Sequence, residues 1–261
     1  MKDEPRLVYI LQKGGDIIDC IDIKKQPAFD HPLLRNHKLQ VNLLSSSFLF
    51  QSGNIGCPSG TVPILRTTKE DLVRARSISN SINGDAKTRF FTFWTSNGYK
   101  QGCHNLQCPG FVQVSTKVHP GAVVSPLSEF FFKFQDRSSG NWWLYYGNEK
   151  EPVGYWPKSL FTSLANSASE VRWGGNVVSP TSEPSPPMGS GHFSQEGDSR
   201  ACYFMNMKNL DAGYAMSGPD VWNTEKQSDL PGFYGEGQLL IEGQPRGHVY
   251  SFGGPGGYKQ G

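Results

Sequence analysis

Long apolar runs are missing from this sequence, and with them the prospect of a membrane-spanning helix. Met1-Lys2-Asp3-Glu4-Pro5 is polar, and the apolar stretch after it, Leu7-Val8-Tyr9-Ile10-Leu11, is too short for the core of a secretory signal. The chain as it stands is therefore expected to carry no leader of its own. Charge of one sign is also scarce. With 25 basic and 23 acidic residues the net charge is only +2, and the charges are scattered, so nothing favours a nucleic-acid partner. Charged residues make up just 18% of the chain and sustained helical periodicity is rare, which argues against a helical bundle. The five cysteines give only a weak zinc reading, since no second Cys/His pair stands at ligand spacing. No metal and no cofactor are expected. Nucleophile-elbow spacing is lacking around Ser190 in Gly189-Ser190-Gly191. The Gly253–Gly257 cluster lacks the Lys-Ser/Thr of a phosphate loop and reads as a turn.

What is abundant points to β structure. Glycine (30), proline (18) and aromatic residues (12%) punctuate short runs rich in aromatic and β-branched side chains, the pattern of an all-β sandwich or barrel. Asp16–Ile23 alternates acidic and apolar positions, as a strand with one wet face would. Beyond Thr88 the candidate strands are Arg89–Thr95, Gly110–Val118, Ala122–Ser125, Glu129–Gln135, Trp142–Tyr146, Val153–Trp156 and Val171–Val178. Turns at Ser138–Asn141 and Gly147–Lys150 suit an antiparallel meander. Two helices are expected. Thr67-Thr68-Lys69-Glu70 fits a capping box, and Pro157 suits a first helical position ahead of Leu160, Phe161 and Leu164. Ser179–Pro187 reads as an exposed loop, with strand-like sequence resuming at His192–Phe193.

Cys103 and Cys108 are spaced to close a tight loop, and such a bridge would contribute about 2 kcal/mol. Cys20 and Cys57 are further disulfide candidates. Spacing alone leaves free thiols open, and because five is odd one cysteine stays unpaired within the chain. In a strand at 142–146, Trp142, Leu144 and Tyr146 share one face and Trp143 and Tyr145 the other. At least one face must be core, and the other is either ordinary surface or a platform for a sugar or proline ring. His192 is either a cleft residue or a structural histidine.

Several ordered stretches together resemble the neprosin family of plant glutamic peptidases. Gly15–Ile23, Gln26–Leu33 and Cys57–Ile64 are similar to the family's activation peptide. Arg89–Thr95, Gly102-Cys103 to Gly110-Phe111, Gly140–Leu144, Gly154–Pro157, Met188–Phe193 and Gly253–Gly256 resemble its catalytic domain. The resemblance implies a pro-region over 1–80 and a catalytic-like domain over 81–261, with that domain's opening strands absent. It also implies an antiparallel β-sandwich of two facing sheets with a small mixed pro-region and one or two short helices. Further implications are a secreted zymogen, cleavage after proline at acidic pH, and a proline-rich peptide substrate. A non-catalytic alternative is a sandwich that binds peptide or cell-wall polysaccharide. The chemistry implied needs two close carboxylates. One is ionised to take a proton from water while its neighbour stays protonated, because proximity pushes their pKa values apart.

This chain departs from that pattern. Ser77–Ile82 runs almost directly into Asn83–Arg89, where the first glutamate's strand is expected. After Trp173-Gly174-Gly175, where the second glutamate is expected, stands Asn176, which cannot act as a general base. Glu170 is the first substitute to consider and Glu129 the next. Trp94, Trp143, Tyr155, Trp173 and His192 are the candidate residues of the substrate cleft. No cysteine follows Cys202, where the resemblance implies a terminal pair.

Overall fold

The computed structural model describes residues 7–13, 16–40, 56–66, 88–124, 131–147, 150–179 and 182–257. They fall into two compact units. The first holds the described residues of Met1–Val73 and Asn83–Ala168, the second those of Ser169–Gly261.

In the first unit, β1 (Leu7–Lys13), β2 (Asp16–Asp22) and β3 (Thr61–Leu65) form an antiparallel sheet in the order β1-β2-β3. The alternation read from Asp16–Ile23 is realised here. Ile18 and Cys20 are buried on one face, while Asp19 on the other pairs with Arg66. Cys20 is bridged to Cys57. The chain then makes two 3-10 turns, Pro27–Asp30 and Pro32–Leu34, each with proline at the start, where no backbone donor is needed. They press Ala28 and Leu34 into the interior.

The body of this unit begins with a hairpin of β4 (Phe93–Ser96) and β5 (Gln101–His104), closed immediately afterwards by the Cys103–Cys108 disulfide. β6 (Val112–Gln113), β7 (Phe131–Gln135), β8 (Trp142–Tyr146) and β9 (Glu151–Trp156) build an antiparallel sheet in the order β6-β9-β8-β7. Ala28 and Leu34 belong to the same hydrophobic cluster as Trp94, Phe111, Val112, Trp143, Tyr155 and Trp156. The N-terminal segment and this sheet thus share one core.

The second unit is built of short strands: β10 (Cys202–Phe204), β11 (Asn209–Leu210), β12 (Met216–Ser217), β13 (Gly235–Glu236), β14 (Leu240–Ile241) and β15 (His248–Gly253). β15 is central, pairing with β10, β13 and β14. β11 and β12 form a separate hairpin. Cys202 is a free, half-buried thiol.

All strand pairings among the described residues are antiparallel, so the fold is all-β as expected. Several local expectations are corrected. The helix after Pro157 is replaced by two 3-10 turns, Lys158–Leu160 and Ser163–Ala165, with Pro157 flanking the first. Leu160 is buried but Leu164 is exposed, so no continuous apolar face exists to hold a longer helix against the core. Residues 171–179 form no strand, and most of them are exposed. Arg89 and Val123 meet in a single bridge, and of Gly110–Val118 only Val112–Gln113 pairs as a strand. His192 and Phe193 lie in a bend leading to a 3-10 turn at Ser194–Glu196. The Thr67–Glu70 capping box and Glu129 fall outside the described residues.

Candidate functional site

The cross-strand register of the four-stranded sheet sets its chemistry. Trp143 lies opposite Tyr155 on β9 and Phe134 on β7, and Tyr155 lies opposite Val112 on β6. Directly opposed residues project to the same face, so an aromatic row crosses the sheet. The Trp143 and Tyr155 rings lie 4.6 Å apart, and Phe134 stacks on Tyr145 at 5.3 Å. The other face is buried as well. Leu144 and Trp156 are almost fully covered, with Phe111 lying 4.6 Å from Trp156. Gly154 permits that packing, because a Cβ there would sit 2.3 Å from the Val112 carbonyl and 2.6 Å from the Phe111 ring.

What covers the aromatic row includes the chain's own segment His37–Gln40. His37 Nε2 lies 2.9 Å from the Tyr155 hydroxyl, and the Gln40 backbone N–H donates to the same oxygen at 2.9 Å. Burial pushes the Tyr155 hydroxyl up to about 12, so it keeps its proton. The hydroxyl accepts from Gln40 and can still donate its proton to His37 Nε2 when that ring is neutral, and burial lowers the His37 pKa, which favours the neutral ring. A second contact joins an earlier part of the N-terminal chain to the sheet edge. The Gln26 side chain donates to the Gln113 carbonyl at 2.9 Å and accepts the Gln113 N–H at 2.7 Å, so its amide imitates a neighbouring strand at β6. Gln26 and Gln113 are both fully buried.

Of the residues named from the sequence, Trp94, Trp143 and Tyr155 are all buried within the core of the first unit. Trp94 packs edge-on against Phe161 and His31. Trp173 is half-buried, and it lies with His192 in the second unit. His192 has an acid partner, since its Nδ1 lies 2.9 Å from Glu196, whose carboxylate also meets Arg200 at 3.2 Å. The N–H of Phe193 and the hydrogen bond to His192 hold the Glu196 pKa below its usual value. Asn176 is exposed. Glu170 is exposed and hydrogen-bonded to Arg172, and this pair lowers its pKa. Among the described residues no group of three His, Cys, Asp or Glu side chains could hold a metal ion, and no helix is long and apolar enough to cross a membrane.

Gln26, His37, Gln40, Asp136 and Asn141 carry the contacts around Tyr155, and sequence reasoning did not single them out as a site. Asn141 stood inside a family-like motif, but nothing local marks Gln40, which meets Tyr155 across 115 residues of chain. Comparison with known families accords with this arrangement. The neprosin activation peptide profile matches residues 9–103 and the Neprosin profile matches residues 66–255. The N-terminal match contains the segment that covers the aromatic row, and the second match spans most of the chain. This protein therefore belongs to the neprosin family.

Proposed function

We propose that this chain is a neprosin-type glutamic endopeptidase whose hydrolysis is impaired. It keeps a peptide-binding face, covered by its own pro-region. In this reading residues 1–80 are the pro-region and 81–261 the catalytic-like domain, secreted as its relatives are, with proline-rich peptide as the substrate class. The observation that carries the loss of activity is the exposed amide of Asn176 where the second catalytic glutamate is expected. An amide cannot take a proton from water, and loss of acid–base action alone costs on the order of 10²–10⁴-fold in rate. Glu170 is a poor half of a carboxylate pair: it is solvent-exposed and bonded to Arg172, which holds it ionised, able to accept a proton but unsuited to stay protonated as the donor.

Retention of peptide binding is supported by the aromatic row on β8 and β9, where a segment of the chain is already bonded to the Tyr155 hydroxyl through the His37 ring and the Gln40 N–H. The test is digestion of a proline-rich protein at about pH 3–5, where one carboxylate of a pair is protonated, by the unaltered chain and by Asn176→Glu. No cleavage by the unaltered chain is expected. Cleavage by it would overturn the impaired reading and direct attention to a surviving carboxylate pair that includes Glu170.

A further inference from the structure

We propose that Asp136, Asn141 and Tyr155 form a subsite that reads the primary amide of a glutaminyl residue in an extended peptide. In this structure Gln40 of the chain itself occupies it. Gln40 makes three polar contacts there. Its Nε2 donates to Asp136 Oδ2 at 3.2 Å, its Oε1 accepts from Asn141 Nδ2 at 2.7 Å, and its backbone N–H donates to Tyr155 at 2.9 Å. The guest is thus held at both ends of its amide and at its main chain.

The host groups are fixed independently of the guest. Asn141 is buried, and its Oδ1 accepts the Lys158 N–H at 2.9 Å, so its NH2 is turned toward the site. Its own N–H donates to Ser139 Oγ at 3.2 Å. Asp136 is anchored by the Ser138 hydroxyl at 2.8 Å, the Ser139 N–H at 2.9 Å and the Ser139 hydroxyl. The backbone around them is closed by Gly140 N–H to the Asp136 carbonyl at 2.7 Å and by Asp136 N–H to the Asn141 carbonyl at 2.8 Å. Burial alone would raise the Asp136 pKa, but these hydroxyl and N–H donors, with the Gln40 amide adding to them, bring it down to about 2, so it presents a pure acceptor.

One fixed donor beside one fixed ionised acceptor is complementary to a primary amide. A glutamate in the same place would set a carboxylate oxygen against Asp136, and a methionine would leave Asn141 and Asp136 without the guest's bonds. Asparagine is a methylene too short to span the same distance from a main chain held on Tyr155. The proposal rests on the reading of this face as peptide-binding, and it requires no turnover.

The test uses the full chain and trypsin. Lys38 is exposed, and its peptide bond lies between the two residues that anchor the segment to Tyr155. Gln40→Glu is expected to speed cleavage after Lys38 by about 10–100-fold, the equivalent of one lost charge-assisted hydrogen bond. Asp136→Asn placed in the Gln40→Glu background removes the like charge and supplies an NH2 donor, so it is expected to restore slow cleavage. Equal cleavage of wild type and Gln40→Glu, or no recovery in the double variant, would overturn the proposal. Binding in trans is measured with Gln40→Glu as receptor and a labelled peptide of the sequence of residues 35–40. The glutamine peptide should bind at least about tenfold more tightly than its glutamate analogue, the ratio for one charge-assisted contact. Equal affinity would likewise overturn amide reading. Because neither arm measures hydrolysis by this chain, a failed digestion by Asn176→Glu leaves both results standing.

Discussion

Replacing Cys20 and Cys57 together by alanine should destabilise the first unit by about 4 kcal/mol. The two residues are 37 apart in sequence, and closing a loop of that length lowers the entropy of the unfolded chain by an amount worth about 4 kcal/mol at room temperature. The loop contains Gln26, Ala28, Leu34, His37 and Gln40, the residues that join the N-terminal segment to the sheet, so its cost is felt where the candidate site is covered. Both cysteines are buried, and alanine removes only a sulfur from each, so the cavity contribution is small beside the loop effect. Urea unfolding followed by tryptophan fluorescence suits the measurement. Four of the six tryptophans, Trp94, Trp142, Trp143 and Trp156, lie in this unit. With a slope of about 2–3 kcal/mol/M the midpoint should fall by about 1.5 M. The matching Cys103→Ala, Cys108→Ala pair closes a separation of only 5 and should cost about half as much, about 2 kcal/mol. A shift below about 0.3 M for the Cys20, Cys57 pair would refute the loop argument, since that is under a quarter of the expected effect. A larger shift for the short loop than for the long one would refute it too.

Two further outcomes follow from charge and burial. Asp16→Ala should cost about 3 kcal/mol, the low end for a broken buried pair, because the almost fully buried Arg89 side chain loses its two-pronged 2.8 Å pair while its bond to the Gly121 carbonyl remains. A urea midpoint within error of wild type would contradict it. Stability should also fall as the solution is acidified. His31, His37 and His104 have pKa values lowered by burial from the ordinary 6.5, so below about that pH the unfolded chain binds more protons and the folded state loses ground. Asp136, held at about 2, adds stability that is full above its unfolded value of 3.8 and is lost as pH falls through about 2. Urea midpoints should therefore decline from about pH 7.5 to 5.5 and again toward 3.5. A midpoint at the middle pH equal to or above that at the highest would contradict the histidine assignment.

The amino-acid order by itself determined those features that depend on neighbours in the chain. The acidic–apolar alternation of Asp16–Ile23 became β2 because period two places Ile18 and Cys20 on one side whatever the surroundings. Trp142–Tyr146 became β8 with Trp143 and Leu144 on opposite faces for the same reason. Ordered family-like motifs were enough to recognise the neprosin family. Tertiary structure decided the rest. Whether the second face of β8 was surface, ligand platform or core depended on what lay over it. Trp143 and Leu144 are both buried in a core that Leu34 and Leu39, about a hundred residues earlier, share with Phe111 and Trp156. The sequence after Pro157 reads as a helix only if something completes its apolar stripe. With Leu164 left in solvent, 3-10 turns suffice. The turn at Ser138–Asn141 was legible from Ser-Ser-Gly-Asn. Its role was not, because an amide site exists only when Asp136 and Asn141, brought together by the hairpin, meet a glutamine delivered across 96 residues, and no local pattern encodes a contact of that separation.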